Sequence, residues 1–362
     1  MRMKMDENHE LTPYTTMHIG GKARYFIEAE SVDAIREGLE WAKHASLPVF
    51  VLGAGSNLLV HDDGFSGVVI HPVFGQTTWQ TDDDGTTLVT IDAGATFDEV
   101  IAESCARSLG GIEALSGIPG SAGGSLVQNI GAYGQEISEV FVRANAISLQ
   151  TGGDVELDRA AMDFRYRHTA LKSPQSPLIV TSLTLRLKPF DAQEALQRGI
   201  ERGFKKIVQT PPQTACALRN IILETRRTKR MCYDLDDVNT HGVGSFFVNP
   251  VVSPLEAARL EAESLRRTGR PLPQYPAPNG VKLSAAWLIE QSGLSKGYGF
   301  RGAALSHYHC LAIVNRKNAT ARDVVAFAQF IIETVRREFR VTLSPEVVYL
   351  CPEGIAPIPL KP

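Results

Sequence analysis

The amino-acid sequence predicts an α+β fold that is divided into more than one domain. Segments with strand patterns and segments with helix patterns are mixed along the chain, but they do not alternate regularly enough for a doubly wound sheet. The chain has 362 residues, which is more than one hydrophobic core usually supports. Hydrophobic residues make up 43% and charged residues 21% of the total, which is the balance of a globular protein.

The charge balance argues against some classes of partner. The 37 basic and 40 acidic residues leave a net charge of −3, so we expect no binding to nucleic acid or to a membrane surface. An anionic ligand must therefore be held by a few local cations. No apolar run approaches the length of a membrane span, and the first ten residues lack the apolar core of a signal peptide. We therefore expect a cytoplasmic protein.

The cysteines predict neither a disulfide framework nor a metal site. Their number is odd, they are scattered, and no CxxC pair occurs among them. We expect five reduced thiols, and the first of them is predicted to lie on the apolar face of a helix. The cysteines are Cys105, Cys216, Cys232, Cys310 and Cys351.

The beginning of the chain predicts a strand, a helix and a second strand that leads into a tight turn. Residues 15–29 indicate a glycine turn followed by a strand, and residues 31–45 carry apolar side chains at helical spacing. A buried strand then runs into the turn GAGSNL at residues 53–58. This turn matches a dinucleotide-binding fingerprint only in part, because Leu58 replaces the third glycine and the next strand lacks the acidic residue that would hold a ribose.

The middle of the chain predicts a hairpin, a capped helix and two more strands. Residues 77–94 have the pattern of a β-hairpin around an Asp-Asp-Gly turn. A helix is expected to begin at Thr96, with Glu99 completing a capping box and Gly110 at its end. The two further strands are expected over residues 140–149 and 177–187.

The last part of the chain predicts a second, more helical unit. Residues 192–230 indicate polar helices that break at TPPQT and end in the cationic run RRTKR at residues 226–230. This run marks a boundary, and it either holds a phosphate or is only a solvated face. The clearest helix begins at Thr320, with Asp323 three residues later and an apolar stripe along one face. Other helices are expected over residues 254–267 and 285–291, and strands over residues 309–315 and 341–350.

Residues 115–136, LSGIPGSAGGSLVQNIGAYGQE, form the stretch with the most unusual composition. It contains six glycines and no charge before its last residue. Glycines allow another group to approach the main chain closely, and exposed backbone N–H groups bind phosphate or the polar edge of a cofactor. The alternative interpretation is a glycine-rich surface loop.

Polar residues also occur in three otherwise apolar stretches, MDFRYRHT, GVGSFFVNP and LSPEVVYL. They place Arg165, Arg167, Ser245 and Glu346 beside hydrophobic neighbours, where a catalytic role is one interpretation. The alternatives are that the arginines end a turn, the serine caps a turn or helix, and the glutamate shields an edge strand.

Seven blocks of the sequence, in this order, resemble the UDP-N-acetylenolpyruvoylglucosamine reductases, which are FAD enzymes of bacterial cell-wall synthesis. The resemblance covers nearly the whole chain. It implies a flavin domain of the p-cresol methylhydroxylase type in two lobes, residues 1–72 and 73–215. The second lobe is joined by a returning strand within residues 340–362, and residues 216–339 form a substrate domain. The blocks are TTMHIGGKA, VLGAGSNLLV, GIPGSAGGSLVQNIGAYGQE, FRYRHT, GSFFVNPVV, YPAPNGVKLSAAWLIEQSG and SPEVVYL.

The resemblance implies non-covalent FAD as cofactor and NADPH as cosubstrate. The turn at residues 53–58 is then expected to hold the pyrophosphate, and the second glycine segment to line the rest of the cofactor. The cofactor-binding residues implied in this way are Gly53, Ala54, Gly55, Ser56, Asn57, Leu58, Gly117, Ile118, Pro119, Gly120, Gly123, Ser125, Asn129, Gly131 and Ile179.

The resemblance also implies catalytic roles for three residues. NADPH reduces the flavin, which then passes a hydride to the methylene carbon of an enolpyruvyl ether. Arg167 is expected to stabilise charge at the substrate carboxylate, with Glu346 as its partner in polarising that group. Ser245 is expected to donate the proton, and the phenylalanines that follow it to exclude water.

The nucleotide half of the substrate is expected to meet a further set of residues. Lys296 is the expected partner of the diphosphate, and His309 occupies a position where some relatives have glutamine. The resemblance does not decide whether Phe204 or Tyr233 covers the substrate channel. The remaining substrate-binding residues implied are Tyr166, Asn249 and Tyr275.

Two other functions remain open at this point. One is an oxidase of the same flavin fold that acts on another alcohol or hydroxy acid, and the other is a nucleotide-binding protein without catalysis. We expect a monomer that acts on small molecules.

Overall fold

The computed structural model describes residues 4–173, 176–201, 204–277 and 279–359. It confirms the α+β class, because several separate sheets and helices of very different length occur along the chain without regular alternation.

The first lobe is a four-stranded sheet covered by one long helix. The strands lie in the order β1-β2-β5-β3, with β1 antiparallel to its neighbour and the others parallel. Ser31 caps the helix by accepting a hydrogen bond from the Ala34 N–H, and the helix buries its predicted apolar face against the sheet. The elements are β1 (Met5–Glu10), β2 (Lys22–Ala29), α1 (Val32–His44), β3 (Val49–Val51), β4 (Leu58–Val60) and β5 (Phe65–Pro72).

The second lobe is built on an antiparallel sheet in the order β12-β11-β13-β7-β6. Strands β6 and β7, the first two of this lobe along the chain, form the predicted hairpin. The elements are β6 (Thr77–Thr81), β7 (Thr87–Asp92), α2 (Phe97–Ala106), β8 (Leu109–Gly110), α3 (Ala122–Val127), β9 (Gly131–Ala132), β10 (Gln135–Glu136), α4 (Ile137–Val140), β11 (Phe141–Ser148), β12 (Asp154–Leu157) and β13 (Leu178–Pro189).

Helix α2 differs from its prediction at both ends. Thr96 makes no side-chain capping bond, so the predicted capping box with Glu99 is wrong. Tertiary contacts replace it, because Thr96 forms a β-bridge with Ser121. The helix also ends at Ala106, since Gly110 pairs with the end of β13 as part of β8.

The C-terminal domain packs strands and helices around one large core. Three helices, broken at the predicted TPPQT segment, lead into it. The elements from these helices to the end of the described chain are α5 (Ala192–Glu201), α6 (Lys205–Gln209), α7 (Ala215–Thr228), β14 (Val251–Val252), α8 (Pro254–Thr268), β15 (Gln274–Ala277), β16 (Gly280–Leu283), α9 (Ala285–Gln291), β17 (Gly299–Phe300), β18 (Ala303–Leu305), β19 (Ile313–Asn315), α10 (Ala321–Phe339), β20 (Val348–Cys351) and β21 (Gly354–Ala356).

Helix α10 confirms the clearest helix prediction. Thr320 and Asp323 form a capping box in which each side chain accepts a hydrogen bond from the other residue's backbone N–H. The predicted apolar stripe is fully buried in the core of the C-terminal domain, and it consists of Val324, Phe327, Ile331, Val335 and Phe339.

The returning segment pairs with the first lobe. Strand β20 is parallel to β4, and backbone bonds also join His61 to Leu350 and Ser66 to Pro352. The prediction that residues 340–362 join the second lobe is therefore wrong for the described part of that segment. Residues 360–362 lie outside the described ranges. The pairing brings the residues before β20 next to the turn that precedes β4.

Two general features complete the description. Among the described helices, none combines the length and the apolar character that a membrane crossing requires. The five cysteines are free thiols, and Cys105 is buried on α2 as predicted.

Candidate active site

A cavity of about 600 Å³ lies where the two lobes meet the C-terminal domain. Its lining includes the turn at residues 53–58, the second glycine segment, residues from the range 239–249 and the stretch before β20. All three catalytic candidates, Arg167, Ser245 and Glu346, line this one cavity.

The turn between β3 and β4 can be built only with glycine at one position. Gly55 has a φ of +61°, and a Cβ there would lie 1.9 Å from the Tyr14 carbonyl oxygen. At Gly53 a Cβ would lie 2.7 Å from the Ser121 hydroxyl oxygen. The turn therefore presents bare backbone to the cavity, and it is fixed from behind by the chain around Tyr14.

The second glycine segment is partly helical. Residues 122–127 form α3, and Ser121 caps it by accepting a hydrogen bond of 3.2 Å from the Gly124 N–H. A Cβ on Gly120 would lie 3.2 Å from the Ser125 hydroxyl and 3.7 Å from that of Ser56. The two glycine segments thus face each other closely, and the surface between them consists of backbone and serine hydroxyls.

The predicted cofactor residues fall into two groups. Gly117 and Asn129 lie behind the cavity wall, where the Gly117 N–H donates to Asp98 at 2.7 Å and the Asn129 amide bonds to Glu136 and to the Arg165 carbonyl. These two residues support the wall. The others line the cavity, and they are Gly53, Ala54, Gly55, Ser56, Asn57, Leu58, Ile118, Pro119, Gly120, Gly123, Ser125, Gly131 and Ile179.

Arg167 and Glu346 form an ion pair in the cavity. The Arg167 Nε lies 3.2 Å from the Glu346 Oε1, and the two side chains are 20% and 12% exposed. The same carboxylate oxygen accepts a hydrogen bond of 2.8 Å from the Gln128 amide. The Arg167 Nη1 and Nη2 atoms donate to the carbonyls of Asn129 and Gly131. The guanidinium is therefore tied both to the glycine segment and to the returning segment.

The side chains of Lys172 and Tyr166 lie next to this ion pair. The Lys172 ammonium donates to the Arg167 carbonyl oxygen at 3.3 Å. Burial lowers the pKa of Lys172, Glu346 opposes this change and Arg167 adds to it. The predicted substrate residue Tyr166 lines the cavity, with the Arg167 guanidinium 5.2 Å and the Lys282 ammonium 4.6 Å from its ring centre. This side of the cavity is cationic and suits a carboxylate.

Ser245 lies in a loop that is held on both sides. The Phe246 N–H donates to the Leu311 carbonyl, and the Glu346 N–H donates to the Phe246 carbonyl at 2.8 Å. Phe246 and Phe247 are fully buried, and Phe247 also forms a β-bridge with Pro345. The loop of the serine and the stretch of the glutamate are thus bonded backbone to backbone, which fixes their relative position.

The residues predicted for the nucleotide half of the substrate do not all line the cavity. Asn249 lines the cavity, and its side-chain oxygen accepts a hydrogen bond from the Ala285 N–H at the start of α9. Tyr275 on β15 is exposed and, like Lys296 and His309, lies off the cavity wall. Lys296 is also exposed. The structure therefore brings together the catalytic candidates and only part of the predicted substrate site.

His309 is largely buried and neutral. Burial lowers its pKa to about 4, and the charges of Lys229 and Lys296 act in the same direction. Its Nδ1 atom accepts a hydrogen bond of 3.0 Å from the Leu311 N–H, so the ring proton is on Nε2. The side chain can still donate one hydrogen bond from Nε2.

Arg226 differs from its exposed neighbours in the cationic run at residues 226–230. The cationic run is divided, because Arg227 and Lys229 are exposed whereas Arg226 is only 8% exposed and lines the cavity. Its Nη2 atom donates to the Met231 carbonyl, but its buried Nε has no hydrogen-bond partner. The helical spacing of Arg226 from the buried Leu218 and Ile222 is the sequence signal that could have revealed it.

The two aromatic candidates for covering the channel differ in place. Tyr233 lines the cavity, and its hydroxyl lies 2.7 Å from the His18 Nε2 atom of the first lobe. Phe204 stacks on Tyr133 with ring centres 4.8 Å apart and lies off the wall.

Sequence comparisons agree with this architecture. Residues 23–156 match the family described as FAD binding domain, and residues 236–350 match UDP-N-acetylenolpyruvoylglucosamine reductase, C-terminal domain. The chain is 37% identical to UDP-N-acetylenolpyruvoylglucosamine reductase 2 of Corynebacterium glutamicum over 96% of this chain and 95% of that protein. The chain belongs to the UDP-N-acetylenolpyruvoylglucosamine reductase family. The family prediction is confirmed.

Two other similarities extend over most of the chain. The UDP-N-acetylenolpyruvoylglucosamine reductase of Mycobacterium tuberculosis is 37% identical over 94% of each chain. The crystal structure of the Thermus caldophilus reductase superposes with a TM-score of 0.63 at 24% identity, covering 96% of this chain and 99% of that one. The predictions of FAD as cofactor and of a p-cresol methylhydroxylase type domain followed by a C-terminal domain are confirmed.

The residues of the cavity fit FAD. The cofactor is an anion at its pyrophosphate, and the paired glycine segments offer bare backbone N–H groups, because a Cβ at Gly53 or Gly55 would meet other protein atoms. The unpaired Nε of Arg226 is a buried cationic donor that points to a missing acceptor. A cavity of about 600 Å³ is within the range of cofactor sites.

Proposed function

We propose that this chain is an FAD-dependent oxidoreductase that reduces the enolpyruvyl ether of UDP-N-acetylglucosamine enolpyruvate to UDP-N-acetylmuramate in peptidoglycan synthesis. NADPH is the hydride donor. The observation that carries the proposal is that Arg167, Ser245 and Glu346 line the same cavity as both glycine segments.

The glycine segments hold the cofactor in this proposal. Backbone N–H groups of the turn at residues 53–58 bind the pyrophosphate, and Ile118, Pro119 and Ile179 contact the remainder. Arg226 gives its free Nε–H to the cofactor. FAD, when bound, supplies the two-electron chemistry that connects NADPH with the enol ether. We also propose that the first lobe ends at residue 72, the second lobe at residue 215 and the substrate domain at residue 339.

Arg167 binds the substrate carboxylate. Negative charge develops on the enolpyruvyl group as a hydride is added to its methylene carbon, and a fixed cation stabilises that charge. The bonds of Arg167 to two backbone carbonyls and to Glu346 keep the guanidinium in place before the substrate arrives. Glu346 orients the guanidinium and, through it, the carboxylate.

Ser245 gives its hydroxyl proton to the carbon next to the carboxylate. Serine is a weak acid in water, but a strongly basic carbon centre in a site from which water is excluded can take its proton. The buried Phe247, which lines the same cavity, provides that exclusion. The cations Arg167 and Lys172 stabilise the alkoxide that remains.

The rest of the substrate meets the C-terminal domain. Tyr166 and Asn249 line the cavity beside the reacting end. Tyr275, Lys296 and His309 hold the nucleotide half farther out, with Lys296 paired to the diphosphate. Tyr233 is the aromatic side chain that covers the channel. We propose a cytoplasmic monomer that binds no nucleic acid, because one chain supplies all three catalytic candidates and both substrates are small, soluble nucleotides.

An anaerobic titration tests the function. The flavin of the purified protein is first bleached with NADPH, and UDP-N-acetylglucosamine enolpyruvate is then added. We expect the absorbance of oxidised flavin to return in proportion to the added enol ether. UDP-N-acetylglucosamine, which lacks the enolpyruvyl group, is the matched control. If colour returns only when oxygen is admitted, the protein is an oxidase of the same flavin fold and the proposed reaction is wrong.

A further inference from the structure

We infer that Asp98 is a positioning residue of the flavin site and that Arg219 holds its carboxylate in place. Asp98 lies in the first turn of α2, and Arg219 lies on α7. Through Asp98 the two helices fix the chain at Gly117, next to the cavity-lining residues Ile118 and Pro119. The inference rests on the proposed contact of those two residues with FAD.

The beginning of α2 holds this part of the cavity wall at two points. The Gly117 N–H donates a hydrogen bond of 2.7 Å to the Asp98 Oδ1 atom. The Phe97 N–H donates a second bond, of 3.0 Å, to the Gly120 carbonyl oxygen. Residues 118–119 lie between the two bonds, so their position depends on both. Only the first bond uses a side chain, and a substitution can therefore remove it.

A bidentate ion pair fixes the carboxylate itself. The Arg219 Nη1 and Nη2 atoms lie 2.6 Å and 2.8 Å from the Asp98 Oδ1 and Oδ2 atoms, and the two side chains are 15% and 30% exposed. Burial raises the pKa of Asp98, but the hydrogen bonds from Arg219 and Gly117 outweigh burial and bring this pKa below its ordinary value. The acceptor of the Gly117 N–H is therefore charged, and such hydrogen bonds are stronger than neutral ones.

The turn at Gly117 also packs closely on α7. Gly117 has a φ of +74°, and a Cβ there would lie 2.8 Å from the Leu223 Cδ2 atom. The turn is thus held by α7 on one side and by the Asp98 carboxylate on another. In this arrangement Asp98 acts on FAD through the backbone of the wall, as a residue that supports the groups in contact with the ligand.

An alternative role for Asp98 is to stabilise α2 by placing a negative charge at the N-terminus of the helix. Glu99 is the matched control for this effect, because it lies in the same turn and is exposed. Glu99→Ala removes one negative charge from the helix N-terminus but leaves the hydrogen bond to Gly117 in place. A difference between the Asp98 and Glu99 variants therefore reports the bond to the wall.

The release of FAD from the full-length holoprotein, followed by flavin fluorescence after dilution, tests the inference. We expect Asp98→Ala to release FAD about tenfold faster than the wild type, and Glu99→Ala to release it at the wild-type rate. Arg219→Leu should accelerate release about threefold, and Arg219→Lys should restore part of the difference because it keeps the charge. If Asp98→Ala does not fold, Asp98→Asn replaces it, with an expected acceleration of about threefold because its amide NH₂ group opposes the donors of Arg219.

Hydrogen exchange separates positioning from a general loosening of the protein. With excess FAD present, the amides of residues 115–121 should exchange about tenfold faster in Asp98→Ala, whereas those of the turn at residues 53–58 should keep the wild-type rate. Mass spectrometry of proteolytic fragments measures both segments. Wild-type release of FAD by the Asp98 variants, or equal acceleration of exchange in the two segments, would overturn the inference. Neither measurement uses NADPH or the enol ether, so the anaerobic titration would reveal a failure of the proposed reaction separately.

Discussion

Two parts of the cavity lining differ in what they are made of. We call the residues proposed to bind FAD the flavin wall, and the residues proposed to bind the substrate the substrate wall. The flavin wall consists mainly of backbone, and thirteen of its fifteen predicted residues line the cavity. On the substrate wall, Ser245 and Asn249 line it, whereas Tyr275, Lys296 and His309 lie outside. A backbone surface is set when the fold forms, but a surface of long side chains on loops is completed only around its ligand. The residues proposed for the flavin are therefore gathered at one cavity, whereas those proposed for the nucleotide half of the substrate are not.

The largest expected effect separates the walls by half-reaction. Ser245→Ala removes the proposed proton donor on the substrate wall and leaves the residues of the flavin wall unchanged. We expect reduction of the flavin by NADPH to stay nearly unchanged, while reoxidation by the enol ether slows by roughly three orders of magnitude or more. Stopped-flow absorbance measures both steps. The exposed Ser66 on β5 provides the control Ser66→Ala, which should change neither.

Equal slowing of both half-reactions in Ser245→Ala would mean that the two walls do not act separately. The serine would then support the site as a whole, and its assignment as proton donor would be wrong.

The next effect concerns a contact that joins the walls. Glu346→Gln keeps the shape of the side chain and an acceptor for Gln128, but it removes the charge paired with Arg167. We expect the enol-ether step to slow by about a hundredfold, because the guanidinium loses part of its orientation. Single-turnover kinetics with pre-reduced enzyme measures this step. An unchanged rate would restrict Glu346 to a structural role.

A third effect depends on pH and concerns His309, which lies outside the cavity wall. The pKa of His309 is about 4 in the fold and 6.5 ordinarily. Between these values the unfolded chain takes up a proton that the fold rejects, so the free energy of unfolding falls as pH decreases through this window. At pH 5 the loss from this residue is about 2 kcal/mol. Above pH 6.5 the contribution is fully present.

Urea denaturation at pH 7.5 and at pH 5 measures this loss. His309→Gln should remove about 2 kcal/mol of the pH dependence. The exposed His44 at the end of α1 provides the control His44→Gln. This variant should show the same change in the free energy of unfolding between pH 7.5 and pH 5 as the wild type. If the wild type and both variants showed the same change in the free energy of unfolding between the two pH values, the lowered pKa of His309 would be wrong.

The smallest effect tests the flavin wall. Gly53→Ala adds a methyl group that meets the Ser121 hydroxyl at 2.7 Å. Because that hydroxyl can move, we expect a weakening of FAD binding of only about tenfold, with the fold retained. Titration of the flavin-depleted protein with FAD, followed by flavin fluorescence, gives the affinity. Gly299→Ala, where a Cβ meets nothing within 4 Å, is the control and should bind FAD as the wild type does.

Local patterns predicted much of the fold. The cap and stripe of α10 lie within twenty residues, so the sequence states them completely. The predicted capping box of α2 was wrong because Thr96 pairs with Ser121, and no local sequence pattern contains that contact. The partner of β20 was also missed, since a short buried strand carries no information on which sheet edge it joins. Helix α3 forms in a glycine-rich segment because Ala122 and Leu126 enter the core.

The site was predictable to the extent that its constraints are local. Gly55 needs a positive φ and empty space, and both requirements follow from the turn itself. The sequence left open whether the cationic run holds a phosphate, and it did not separate Arg226 from its exposed neighbours, because the burial of one face of α7 depends on tertiary packing. For Lys296 and His309 the resemblance gave the residue type at a position, but it could not give the distance of that position from the cavity.

The pairing of β20 with β4 has a consequence for how the protein is made. Strand β20 is synthesised about 290 residues after β4, so the first lobe emerges from the ribosome while β4 still lacks its partner strand. Glu346 reaches the site only after more than three hundred residues have been synthesised. A nascent chain can therefore assemble its glycine turns early, but it gains the carboxylate paired with Arg167 only after the whole C-terminal domain has been synthesised.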